Sequence, residues 1–186
     1  LTIGAVAVLA SSALNHTATN WEDYVILRSL LLAVLITMGP AAQAADAPLS
    51  RGAYLTMTMG CGDCHTAGHF LGKPDLAHPL SGSDVGFQVP HLGYFWGPNL
   101  TPDAETGLGN WTTAQIVTAL RTGVRPDGRI LAPSMPWRNY TVLTDADAEA
   151  MAGYLKSLPP TQRRVPGPLG ADAKPAAPYL TVKMPE

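Results

Sequence analysis

Cys61, Cys64 and His65, in the run Gly60-Cys61-Gly62-Asp63-Cys64-His65-Thr66-Ala67-Gly68-His69, are the residues best equipped for chemistry, and they include both cysteines of the chain. Three uses suit a C-x-x-C-H run. A structural zinc site takes four ligands and usually draws on two cysteine pairs. No second pair exists, so His69, His78 and His91 would have to complete the set. A redox dithiol belongs at a helix N-terminus that follows a strand, whereas the residues before Cys61 read as helix, and a plain disulfide leaves the histidine unused. The third use is covalent attachment of a c-type haem. Residues i, i+3 and i+4 share one face of a helical turn, so both sulfurs reach the two vinyl groups while His65 turns beneath the iron. All three residues are then employed and no cysteine is left over.

Iron held by His65 takes a second axial ligand. Thioether sulfur is a soft donor, and Met/His ligation is the electron-carrier arrangement that raises the potential. The candidates are Met57, Met59, Met135 and Met151. Met57 and Met59 lie too close before Cys61 to come round to the other haem face. Met151 falls on the apolar face of a helix, where methionine is normally core filling. Met135 stands in Ala132-Pro133-Ser134-Met135-Pro136-Trp137, where prolines keep it out of a helix and in an extended loop. The rival is a bis-histidine iron using His78 or His91, His69 being too near the attachment turn.

The elements that must position these residues are few. Leu49 to Gly60 reads as a helix leading into the cysteines, weakened by Gly52 and by threonines. Thr112-Thr113-Ala114-Gln115 has the form of a capping box, followed by apolar Ile116, Val117, Ala119 and Leu120 before Gly123. Thr144-Asp145-Ala146-Asp147 starts a third helix, with acidic residues at its head, Lys156 at its foot and Pro159-Pro160 as its stop. Met151, Tyr154, Leu155 and Leu158 form its apolar face. Residues 66–110 read as loop, no run alternates well enough to be a strand, and no repeat is visible. Helices this short need tertiary contacts, and a haem supplies the missing core.

At 186 residues with 46% hydrophobic content the chain suits one cored domain with extensions. A formal charge of −2 argues against a nucleic-acid partner. From Leu27 the run LRSLLLAVLITMGPAAQAADAP has one arginine, a short apolar core, a Gly39-Pro40 breaker and Ala42-Gln43-Ala44, the layout of a secretory signal peptide cleaved after Ala44. The apolar run is short for a membrane span, so a retained anchor, giving membrane association through an uncleaved leader, is the minority reading. Residues 1–23 receive no function. The expected organisation is a leader over 1–44, a cofactor domain over 45–158 and a proline-rich tail over 159–186, extended and either mobile or laid across a surface. An exported, near-neutral protein follows, in an oxidising compartment.

The combination resembles the class I cytochromes c. Gly97-Pro98-Asn99-Leu100-Thr101-Pro102-Asp103, Glu105-Thr106-Gly107-Leu108-Gly109-Asn110-Trp111, Arg121-Thr122-Gly123-Val124-Arg125-Pro126-Asp127-Gly128-Arg129, Met135-Pro136-Trp137 and Tyr154-Leu155-Lys156-Ser157-Leu158-Pro159-Pro160 are similar to the mono-haem cytochrome subunits that partner periplasmic dehydrogenases. The resemblance covers about residues 49 to 160. It implies an all-α, class I cytochrome c-like fold of few short helices and long loops around one covalent haem c. It implies that the Pro98 carbonyl takes the ring N–H of His65, and that Gly52 and Tyr154 meet where the first and last helices cross. One departure is the long segment between His65 and Pro98, whose Phe87, His91, Tyr94, Phe95 and Trp96 cover haem, face a partner, or simply pack. Of Arg121, Arg125, Arg129 and Arg138, one or two could pair with haem propionates, or all could be solvated.

The expected function is a periplasmic mono-haem cytochrome that passes single electrons with His65 and Met135 on iron and Cys61 and Cys64 as tethers. Its partners would be redox proteins, a dehydrogenase as donor and a terminal oxidase or another cytochrome as acceptor. With both axial positions filled by protein it is a carrier and not a catalyst. Two other classes stand beside it: an electron-accepting subunit fixed to a dehydrogenase, and a haem sensor with an open sixth position.

Overall fold

In the computed structural model, residues 50–183 and residue 185 are described. The leader expected over 1–44 lies outside them. Helix α1 spans Arg51–Thr58, with the Ser50 hydroxyl accepting from the Ala53 amide at its head. Helix α2, Cys61–His65, follows after a break at Met59 and Gly60. Helix α3, Thr113–Thr122, carries the expected capping box between Thr112 and Gln115 and ends on Gly123 at φ 74°. Helix α4, Asp145–Ser157, starts from the Thr144 hydroxyl accepting from the Asp147 amide, 3.1 Å. Every expected helix is present, with ends within a residue or two of their sequence signals.

The helices meet through small residues and a shared apolar seam. α1 crosses α4 at Gly52, where a Cβ would collide with the Ala150 carbonyl and come within 2.8 Å of the Tyr154 Cβ. The glycine that weakens the helix locally is what lets the two backbones close up. Arg51 pairs with Asp147 across the same crossing, 2.8 Å. α3 packs on α4 and on a 3-10 turn over Trp137–Val142. The core between them contains Leu55, Ile116, Leu120, Tyr140, Met151 and Leu155. Lys156 spends all three of its donors on the carbonyls of Leu108, Gly109 and Trp111, at 2.9 to 3.2 Å, fixing the loop that enters α3.

The absence of strands expected from the sequence is corrected by a small sheet. β1, Gly86–Val89, and β2, Gly93–Trp96, form an antiparallel hairpin with Phe87 opposite Phe95. β3, Tyr179–Leu180, adds parallel to β1, giving the order β2-β1-β3. Four-residue strands show too little alternation to be read, and one of the three comes from the tail. The tail is laid across the surface rather than free of it. The result is the arrangement of few short helices and long loops that the resemblance implies, with a small sheet added. Among the described residues no helix is long and apolar enough to cross a membrane.

Candidate cofactor site

α2 is only five residues long and exists to present its ends: Cys61 is buried, Cys64 half-buried, and His65 is 5% exposed. The His65 carbonyl accepts from the Gly82 amide at 2.7 Å, and the Ser83 amide donates to the Gly97 carbonyl at 2.9 Å. The long segment after the motif therefore closes back on its own beginning. It delivers Gly97 against Cys64, so tightly that a Cβ there would collide with the Cys64 carbonyl. The next residue, Pro98, lies with its carbonyl oxygen 2.8 Å from His65 Nδ1, 33 residues along the chain. The insertion is an excursion that returns to its start, which is why its length does not separate the pair.

A carbonyl can only accept, so Nδ1 carries the proton and Nε2 keeps its lone pair. Burial lowers the pKa of His65, with the Pro98 bond acting the other way. Burial thus favours the neutral ring, the form in which an imidazole binds a metal. Burial pushes the Cys61 thiol up to about 11, and burial with the Asp63 charge raises Cys64 as well. That is the opposite of an activated redox dithiol, whose thiolate is stabilised, and the two thiols are unpaired. α2 also follows a helix and not a strand.

Cys61, Cys64, His65, Pro98 and Met135 all line one cavity of about 560 Å³, inside the ~300–1,000 Å³ range of cofactor pockets. Met135 reaches it from a tight loop in which its amide donates to Ala132 and its carbonyl accepts from Trp137. Leu100, Leu108, Ile116 and Leu120 supply apolar wall. Two further methionines border the space: Met59, and Met151 at 1% exposure within the core. Met57 is turned out to solvent at 63%. An imidazole with a free Nε2, thioethers and two thiols around an apolar cavity of this size suit an iron porphyrin joined through its vinyl groups.

The zinc reading finds no support. Among the described residues no three His, Cys, Asp or Glu side chains gather into a metal-binding group. His69 Nε2 lies 3.7 Å from Asp63 and His78 Nδ1 lies 3.2 Å from Asp75. His91 sits in the hairpin turn at φ 62°. None of the three lines the cavity.

The other candidates divide. Phe87, Phe95 and Trp96 line the cavity, whereas Tyr94 packs edge-on to Tyr179 of the tail, centroids 4.8 Å apart. Arg125 and Arg129 line it too. Arg121 instead pairs with Asp145, and Arg138 lies over the Trp137 ring at 4.4 Å. Arg125 also stacks over Trp111, 5.1 Å from its centroid. Sequence reasoning missed Tyr140 and Arg164 as cavity residues. Tyr140 is 6% exposed, and burial pushes its hydroxyl up to about 12. A tyrosine three residues past the Met135-Pro136-Trp137 run, in a turn with no periodicity of its own, carries no signal of this kind, and neither does an arginine in a proline-rich tail.

The family model described as Cytochrome c matches residues 49–159. The cytochrome c subunit of a quinone alcohol dehydrogenase from Gluconobacter oxydans is 34% identical over 125 residues, which is 67% of this chain and 24% of that protein. The cytochrome subunit of fructose dehydrogenase from Gluconobacter japonicus is 36% identical over 111 residues, 58% of this chain and 20% of its own length. A dihaem c-type cytochrome from Cereibacter sphaeroides is 34% identical over 114 residues, 61% of this chain and 37% of its own length. The chain thus spans less than two fifths of each of these relatives.

Proposed function

The chain belongs to the cytochrome c family, and on that footing we propose that it passes single electrons through one haem c held by Cys61, Cys64, His65 and Met135. A haem bound there supplies one-electron exchange between ferric and ferrous iron. The protein supplies the rest. Cys61 and Cys64 tether the cofactor, and His65, kept neutral and aimed by the Pro98 carbonyl, offers Nε2 to the iron. That hydrogen bond fixes the ring and raises its basicity. Met135, which lines the same cavity from its proline-flanked loop, would hold the iron through its thioether sulfur. With His65 and Met135 both holding the iron, no open position would be left for a substrate, so the protein would carry electrons and not catalyse. The apolar walls of Leu100, Leu108, Ile116 and Leu120 would keep water from the bound group.

The observation that carries this reading is the convergence of all five residues on one cavity. One C-x-x-C-H run in the sequence given supports a single haem in this stretch. The leader layout supports export to the periplasm. A second reading, an electron-accepting subunit attached to a dehydrogenase, is favoured by the names of two relatives, both cytochrome subunits of dehydrogenases. Spectra of the oxidised and reduced protein test the first: a covalent c-type haem with a weak sulfur-to-iron band toward the red is expected. Absence of covalent haem refutes it. Co-purification with a dehydrogenase decides for the second reading, and isolation of the cytochrome alone from its native membrane and periplasmic fractions decides against it.

A further inference from the structure

The family match ends at residue 159, yet the cavity wall continues beyond it. Arg164, Val165, Pro166, Gly167 and Pro168 all line the cavity. This run is tied down on both sides. Before it, the Thr161 carbonyl accepts from Asn99 Nδ2 at 2.7 Å, and the Thr161 amide donates to Thr101 Oγ1 at 3.1 Å. The Arg163 amide donates to Thr106 Oγ1, and its guanidinium reaches Asp75 at 2.8 Å. After it, Leu169 exchanges two backbone hydrogen bonds with Tyr94, at 2.9 and 3.0 Å. Farther on, the Pro178 carbonyl accepts from the Gly86 amide and from Trp96 Nε1. Asn99, the first anchor, is 1% exposed and adjoins the proline that orients His65. Between the anchors two prolines restrict the backbone, so little entropy opposes holding it extended.

The charges on this wall are unbalanced. Three arginines, Arg125, Arg129 and Arg164, line the same cavity as two carboxylates: Glu105, which already accepts from Gln162, and Asp63, which lies 3.7 Å from His69 Nε2. Arg125 shares Asp127 with the Arg129 amide. Among the described residues neither Arg129 nor Arg164 forms an ion pair. Burial and the neighbouring Arg125 charge lower the Arg129 pKa. A cavity rim with surplus guanidinium suits an anionic cofactor edge, and planar carboxylates match the guanidinium fork.

We propose that residues 164–168 form a strap that is one wall of the haem pocket, with Arg164 a positioning residue for the cofactor's carboxylates. This rests on the haem reading above and extends the cofactor site beyond the family match. A cation beside the haem favours the reduced, less positive state, and the strap shields that side from solutes.

Full-length holoprotein tests this, with haem staining on denaturing gels applied to every variant. Arg164→Gln is expected to lower the midpoint potential and Arg164→Lys to retain most of it. Arg51→Gln, the same charge change at a residue that does not line the cavity, is expected to leave the potential in place. Pro166→Gly with Pro168→Gly is expected to speed oxidation of the reduced protein by ferricyanide several-fold. A shift in Arg164→Gln no larger than in Arg51→Gln overturns the role of Arg164. An unchanged oxidation rate in the glycine variant overturns the strap. Failure of the unaltered protein to stain for haem refutes the haem reading itself, a result separate from both.

Discussion

α1 and α4 meet through shape, Gly52 beneath Tyr154, whereas the hairpin and the tail meet through backbone and side-chain hydrogen bonds between distant residues, such as Trp96 with Pro178, 82 apart. The helical frame contributes the thiols and the imidazole and fixes their register by packing. The wrap's own ligand candidates, His78 and His91, do not line the cavity. The wrap supplies the Pro98 carbonyl at its closing end, aromatic wall and the strap. On the proposed reading, one region would choose which atoms hold the iron, and the other would govern the field around it and what can approach. Each can be disturbed without the other, and the predictions follow that division.

The largest effect is expected in the frame. Cys61→Ser combined with Cys64→Ser should abolish haem that survives denaturation, read by haem stain, while every strap variant keeps it. Covalent haem persisting in the double variant would break the division outright. Next, Met135→Ala should lose the weak red band and lower the midpoint potential, because a soft sulfur ligand favours ferrous iron. Met151→Ala should keep the band but destabilise the fold by about 2–5 kcal/mol, the range for a buried methionine truncated to alanine. If Met151→Ala loses the band and Met135→Ala keeps it, the ligand belongs to α4 and not to the loop.

A smaller effect tests the crossing itself. Gly52→Val should destabilise by roughly 1–3 kcal/mol, the usual penalty for overpacking a close contact, read by denaturant unfolding with little change in potential. The smallest concerns the Arg51–Asp147 pair. The hydrogen bond from Arg51 holds the Asp147 carboxyl below its ordinary range. Its contribution is therefore present above the unfolded carboxylate pKa of about 4 and is lost as pH falls through the lower folded value. Arg51→Gln should be slightly less stable than the unaltered protein at neutral pH, with the gap closing in acid and shrinking with salt. A gap that is unchanged at pH 2 would mean that Arg51 acts by packing alone.

The same division separates what could be read in the sequence from what could not. Capping signals at Thr112 and Thr144, the proline stop at Pro159 and the C-x-x-C-H spacing act within a few residues, so each is written locally. The Gly52–Tyr154 contact and the approach of Pro98 to His65 were accessible through resemblance, because no local signal joins residues so far apart. The hairpin was missed because strands of four residues show too little alternation for period two to emerge. The strap was missed because proline-rich composition reports stiffness and not destination. Three methionines on one cavity could not be reduced to one by spacing alone, since Met59 and Met151 border it as well.

The parallel pairing of β3 with β1 bears on the order of assembly. Thr181 bonds to Gln88 across 93 residues, and closing so long a loop has an entropy cost that grows with its length. Contacts of that range form late, whereas helices and a hairpin built from neighbours form early. Until that last stretch of chain arrives, the cavity lacks the wall that residues 164–168 form. The tail's long-range contacts, late in the order that loop length dictates, would be the ones that complete the pocket.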